Sequence, residues 1–225
     1  MTHIGFKTDQ EIQEDVYREF RWDSRVAPEE IGVQVEKGVV TLTGRVKSYG
    51  QRLAAREAAH RVAGVLDVAD DIRVEFANAL KRSDTQIAQA IRTALTWNVF
   101  VPDDKIQTTV VDGYVTLEGE VETLREKIDA ELAVESLAGV REVSNGIVVK
   151  ALHVDPQRIR EAIESALERR AEREAHRIRV DFEDGRVTLD GIVHSWAEKE
   201  AILGAVGHAR GVRAVGDRLS IVPAA

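Results

Sequence analysis

The chain has 225 residues, 44% hydrophobic and 31% charged, with a formal net charge of −8 at pH 7. That is an ordinary globular composition, and the negative balance argues against a general polyanion binder. The absence of cysteine excludes thiol catalysis, disulfides and zinc–thiolate sites.

No stretch reaches the ~18 apolar residues of a membrane-crossing helix. The start of the chain, Met1 to Asp9, lacks the apolar core of a secretory signal, from which a cytoplasmic location is expected.

The first expected element is an amphipathic helix with apolar residues at i, i+4 and i+8: Ile12, Val16 and Phe20. The same spacing returns at Ile87, Ile91, Leu95 and at Ile159, Ile163, Leu167. Asp9, Asp84 and Asp155 stand where an N-cap is expected, with Pro156 following in the third case.

Two alternating strands follow, Ile31-Val33-Val35 and Val40-Leu42-Gly44-Val46, joined through Lys37-Gly38 as a tight hairpin. Their equivalents are Ile106-Thr108-Val110 with Val115, and Ile178-Val180-Phe182 with Val187, joined at Asp112-Gly113 and Asp184-Gly185. Gly44, Gly119 and Gly191 inside the second strand suggest a bulge or a close helix approach.

A second helix opens at each of three capping boxes, Ser48-x-x-Gln51, Thr123-x-x-Glu126 and Ser195-x-x-Glu198. Its inner face is expected to be lined by alanine, at Ala58, Ala133 and Ala205. A Gly-Val pair, Gly64-Val65, Gly139-Val140 and Gly211-Val212, is expected to end it, with glycine in the left-handed conformation. A last strand runs through Val65, Val68, Ile72 and Val74.

The chain therefore states one unit three times. Val40-Thr41-Leu42-Thr43-Gly44 returns as Val115-Thr116-Leu117-Glu118-Gly119 and as Val187-Thr188-Leu189-Asp190-Gly191, at intervals of 75 and then 72 residues. Such intervals exceed solenoid repeats, so each unit is expected to be a small domain. The expected fold class is α+β, with three tandem αββαβ domains over 1–80, 81–154 and 155–225. Each would be a three-stranded sheet covered on one face by two helices.

The αββαβ order, the turn-and-strand pattern [D/K]G-x-V-T-L-x-G and the downstream Gly-Val pair resemble the BON domain, named for bacterial osmotic-stress and nodulation proteins. Trp22-Asp23-Ser24-Arg25-Val26, Trp97-Asn98-Val99-Phe100-Val101-Pro102 and Ser195-Trp196-Ala197-Glu198 are similar to segments of bacterial three-BON proteins without a signal. The resemblance implies a non-enzymatic binding module associated with osmotic and envelope stress, with a phospholipid surface as its ligand. Most such proteins are periplasmic or outer-membrane lipoproteins; this chain is expected to depart from them, with no signal, lipoprotein cysteine or LysM unit in its sequence.

The repeated positions are glycines, aliphatics and caps, with no reactive side chain among them. No catalytic constellation or cofactor motif is visible, and the six histidines form no ligand pattern. His194 beside Glu198 and Glu200 reads as helix capping. The G-x-x-G clamp of KH domains is missing, so nucleic acid is not an expected partner. Arg169, Arg170, Arg173, Arg177 and Arg179 alternate with Glu168, Glu172 and Glu174, as on a self-paired, solvated face.

Specificity must come from where the repeats differ. Trp97, Val99, Phe100 and Val101 occupy the loop after the first helix of the second unit, while the positions equivalent to Phe100 hold Arg25 and Glu172. Either this loop packs against a neighbouring unit or it is an exposed apolar tip. Tyr49, Leu124 and Trp196, each following an N-cap, form a second set with the same two readings, packing or docking.

The expected function is a stress-associated adaptor that docks a phospholipid surface or an envelope-associated protein through these residues. The alternatives are a structural or self-associating scaffold, with a homo-oligomer as its product, and a small, potassium-like ion sensor using backbone carbonyls. The purified chain is expected to hold no stoichiometric transition metal. Elemental analysis returning about one zinc or iron per chain, lost on mutating His194 or His208, would contradict this reading.

Overall fold

The computed structural model describes residues 7–76, 82–150, 161, 178–207, 209 and 211–222. The first repeat folds as α1 (Asp9–Trp22), β1 (Ile31–Glu36), β2 (Val39–Val46), α2 (Tyr49–His60) and β3 (Asp67–Val74). The second folds as α3 (Asp84–Trp97), β4 (Ile106–Val111), β5 (Tyr114–Val121), α4 (Leu124–Glu135) and a last strand in two pieces, β6 (Glu142–Asn145) and β7 (Val148–Val149). In the third, the described elements are β8 (Ile178–Glu183), β9 (Arg186–Val193), α5 (Trp196–Gly207) and β10 (Ala214–Ile221). The expected helix at Ile159, Ile163 and Leu167, its caps at Asp155 and Pro156, and the run from Glu168 to Arg177 lie outside the described residues. Arg179 is on strand β8 and faces solvent.

In each sheet the central strand is the second strand of its repeat. β1 pairs antiparallel with β2, which pairs parallel with β3, so α2 is a crossover helix. The second sheet repeats this plan, and the third has the order β10-β9-β8. Along β2, β5 and β9 the alternation of buried and exposed residues is the same. It buries Val40, Leu42, Val46; Val115, Leu117, Val121; and Val187, Leu189, Val193. A period of two at a strand flanked on both sides places these residues in the core. Against the first two sheets lie Ile12, Val16, Phe20 of α1 and Ile87, Ile91, Leu95 of α3, all buried.

Packing divides the chain into two compact units. One draws on Met1–Lys81, Val193–Lys199 and Ile221–Ala225; the other draws on Arg82–Ile192 and Glu200–Ser220.

The hairpins turn through two left-handed residues, Lys37 (φ 52) and Gly38 (φ 79) in the first repeat and Asp112 (φ 52) and Gly113 (φ 81) in the second. This is the geometry of a type I′ turn, whose twist suits the strands it joins. The turns are tied to the helices in a way the pattern of caps concealed. The N-caps are Thr8 and Ser83, not Asp9 and Asp84, and each closes a full capping box, with Glu11 and Gln86. Asp9 and Asp84 are the first helical residues, and their carboxylates are free to reach the hairpin. Asp9 accepts from the backbone N–H groups of Lys37 (2.8 Å) and Gly38 (2.9 Å). Asp84 accepts from those of Asp112 (2.9 Å) and Gly113 (3.0 Å).

The expected close approach at Gly44 and Gly119 is made by a carbonyl rather than a helix. A Cβ on Gly44 (φ 135) would collide with the Glu30 carbonyl, and one on Gly119 (φ 143) with the Lys105 carbonyl. Those oxygens end the short 3₁₀ turns Pro28–Glu30 and Asp103–Lys105 that lead into β1 and β4.

Gly64 and Gly139 do not end their helices, as the sequence suggested. α2 stops at His60, and two tight turns closed by Val62 N–H to Ala59 O and Val65 N–H to Val62 O separate it from Gly64. The glycines (φ 99 and 96) instead lie under Ile12 and Ile87, where a Cβ would crowd the isoleucine side chains. Alanine dominates the inner helix face in the first repeat, at Ala54, Ala55, Ala58 and Ala59; in the second, Ala130 is buried beside Val134 while Ala133 is half-buried, and in the third Ala205 is half-buried and Val206 takes the inner position.

The N-caps at Ser48, Thr123 and Ser195 all form, their hydroxyls accepting from Gln51, Glu126 and Glu198 N–H. Thr123 closes the full box with Glu126, whereas the Gln51 and Glu198 side chains accept from Lys47 and His194 N–H, one residue before the cap. In the last strand, Asp70, Asn145 and Asp217 occupy the same repeat position. Each accepts the N–H two residues on, from Ile72, Ile147 and Leu219. These side chains compete with the ladder for backbone donors. In the second repeat the strand breaks at Gly146, whose N–H bonds to Leu117 O.

Single substitutions test this geometry. Asp9→Ala or Asp84→Ala removes two hydrogen bonds to a charged acceptor and should cost about 1.5–3 kcal/mol in urea unfolding. Gly119→Ala should destabilise the chain by more than ~2 kcal/mol through strain and collision. Gly204→Ala, in a helix where a Cβ meets nothing within 4 Å, should instead stabilise it by about 0.5–1 kcal/mol.

Candidate docking surface

α3 ends at Trp97, and the loop that follows is pinned at almost every residue. Asn98 N–H bonds to Leu95 O, and Asn98 Oδ1 accepts from Phe100 N–H at 3.1 Å. Val101 N–H returns to Asn98 O, and Val101 itself is buried. Thr96 Oγ1 donates to Asp103 at 2.8 Å, while Arg92 donates to the carbonyls of Asp103 and Ile106.

A loop held this firmly has no freedom to fold its apolar side chains inward. Trp97 is 84% exposed, Val99 89% and Phe100 71%. Three large apolar groups standing in water on a rigid turn form a surface suited to burial against something else.

The first repeat builds the same turn with different chemistry. Asp23 stands where Asn98 does, its carboxylate accepting from Arg25 N–H at 3.1 Å, and Val26 is buried as Val101 is. Ser24 and Arg25 replace Val99 and Phe100. The Arg25 guanidinium bonds to Asp23 and Glu57, and Arg61 bonds to Asp23 and Glu19. Hydrogen bonds from Arg25, joined by Arg61, hold the Asp23 carboxyl well below the usual carboxylate range. Trp22 is nevertheless 85% exposed, as open as its counterpart Trp97. Both tryptophans lie 22 residues before the central glycine, Gly44 or Gly119; Trp22 is absent from the expected docking residues, although that shared spacing is the signal that would have found it.

Tyr49, Leu124 and Trp196 lie elsewhere. Tyr49 is 8% exposed and offers a partner almost nothing. Leu124 is half-buried, near the backbone of Gly207. Trp196 is half-buried with its indole stacked on the His60 imidazole, ring centres 3.9 Å apart and planes 1° from parallel. Burial corrects Tyr49 from a docking point to a packing position, while Leu124 and Trp196 are partly packed against folded chain.

His194 is engaged by the helix it precedes. Its N–H donates to Glu198 at 2.7 Å, and its Nδ1 lies 2.8 Å from Val222 O. Among the described residues there is no group of three or more histidine or carboxylate side chains placed to hold a metal ion, and no helix long and apolar enough to cross a membrane. His3, His153, His176 and His208 lie outside the described residues.

The sequence compares with known proteins as follows. It is 29% identical over 155 residues to osmotically-inducible protein Y of Escherichia coli (strain K12), spanning 67% of this chain and 77% of that protein. Among solved structures it matches CdsD, a structural protein of the type III secretion system of Chlamydia trachomatis. That match has 15% identity, covers 94% of this chain and 92% of the other, and has a TM-score of 0.27, too low to carry an argument. The BON domain model matches three segments, 8–75, 83–151 and 155–223, each one αββαβ repeat of the sequence. The chain belongs to the BON domain family.

Proposed function

We propose that this chain is a stress-associated, non-enzymatic adaptor that docks a phospholipid surface through the exposed tip Trp97-Val99-Phe100. The observation that carries the reading is the combination of full exposure with a pinned backbone at that loop. The likeness to an osmotically-inducible protein supports the stress association. An envelope-associated protein is the alternative surface, since burial of the same three side chains would drive either event.

The magnitudes suit weak, reversible docking. A fully buried large apolar side chain contributes roughly 1.5–3 kcal/mol, so two or three partly inserted groups reach several kcal/mol. Because the chain carries a net charge of −8, long-range attraction to anionic headgroups contributes little.

Phosphatidylcholine vesicles should therefore co-sediment with the wild-type chain about as well at high salt as at low. Trp97→Ser with Phe100→Ser should weaken binding at least about tenfold, the equivalent of 1.4 kcal/mol. Equal binding by a double mutant of unchanged far-UV circular dichroism would remove this loop as the site. A wild-type chain that ignores vesicles but self-associates through the same two residues would establish the scaffold instead.

A further inference from the structure

The stack of His60 on Trp196 is a feature that docking leaves unused. His60 is the last residue of α2; Trp196 is the first of α5, and its segment Val193–Lys199 belongs to the same compact unit as α2. His60 Nε2 and Trp196 Nε1 are both shielded from solvent, and among the described residues neither has a hydrogen-bond partner. Such a contact tolerates only one protonation state. A neutral imidazole can present an unprotonated Nε2 to this dry site, whereas an imidazolium must carry a hydrogen on both nitrogens and leave one buried donor unpaired.

The surroundings press the same way. Lys199 Nζ already lies 4.9 Å from the centre of the Trp196 ring, so the attraction of the indole for a cation is engaged. Arg56, one turn back on α2, and Lys199 on α5 both disfavour a second positive charge, and only Asp67, at the start of β3, favours it.

We infer that the His60–Trp196 stack is an acid-released latch, closed at neutral pH and opened by protonation of His60 to expose Trp196. Burial, reinforced by Arg56 and Lys199, pushes the His60 imidazole down to about 4 from its ordinary 6.5. The sign follows from that depression. Between these values an opened, solvated His60 takes up a proton that the closed one refuses, so acidification favours the open state. The latch is fully supported above about pH 6.5 and loses support as pH falls towards 4. Across that window the open-to-closed ratio should rise on the order of a hundredfold. Release would bare an indole on the first turn of α5, adding an apolar group to the chain's surface under acid conditions.

The test isolates Trp196, since the chain has three tryptophans. In a Trp22→Phe, Trp97→Phe background, iodide quenching is measured between pH 8 and pH 4, with far-UV circular dichroism at each point. The inference expects quenching to rise several-fold between pH 6.5 and pH 4 while the circular dichroism holds. Adding His60→Phe, which keeps a stacked ring without a titrating nitrogen, should flatten the profile at the low-quenching level. Adding His60→Gln, which removes the ring, should leave Trp196 accessible at every pH. A flat profile with His60 present, an acid rise that persists in His60→Phe, or a rise that only accompanies loss of circular dichroism would overturn it.

Discussion

A single backbone oxygen seated on a glycine organises each of the first two repeats. The Lys105 carbonyl presses against Gly119, and the Glu30 carbonyl against Gly44, so closely that no side chain fits between them. That seat fixes the 3₁₀ turn ending at the oxygen, and the turn in turn sets where the preceding loop leaves α1 or α3. Pinned at its far end by the glycine and at its near end by the Asp23 or Asn98 side chain, the loop cannot collapse. The exposure of Trp97, Val99 and Phe100 is therefore a consequence of the core. The geometry of the tip depends on a contact with the strand.

The two tips show how one backbone can carry different chemistry. Where the second repeat has Val99 and Phe100, the first has Ser24 and Arg25, and a cluster of Arg25, Arg61, Asp23, Glu19 and Glu57 covers the turn. Exposed ion pairs of this kind contribute little stability singly. Their effect is to make the first turn polar while leaving Trp22 in water. The repeat supplies the platform, and divergence at two or three positions sets the chemistry that the turn presents.

Much of the fold was legible in the residues. The i, i+4, i+8 spacing located the buried face of α1 and α3, the period-two alternation located β2, β5 and β9, and the capping boxes located the starts of α2, α4 and α5. What escaped was settled by competition or by distance along the chain. Thr8 and Asp9 are both good caps, and adjacency alone could not say that the hydroxyl caps the helix while the carboxylate bonds a hairpin 28 residues away. Asp70, Asn145 and Asp217 read as ordinary surface polar residues, yet each redirects a backbone donor. At Trp196 the local position after an N-cap suggested an outward side chain, and only the fold brings it onto His60. The apolar tip was legible because its residues break the repeat, and Trp22 could have been found by the same register.

The central claim is that Trp97 enters the hydrocarbon of a membrane. The most direct measurement leaves Trp97 as the sole tryptophan, using Trp22→Phe with Trp196→Phe, and follows its fluorescence against phosphatidylcholine vesicles whose acyl chains carry bromine. The account expects strong quenching by bromine near the headgroup end of the chains, with little from bromine near the bilayer centre. Vesicle binding with Trp97 emission untouched by bromine at any depth would contradict it.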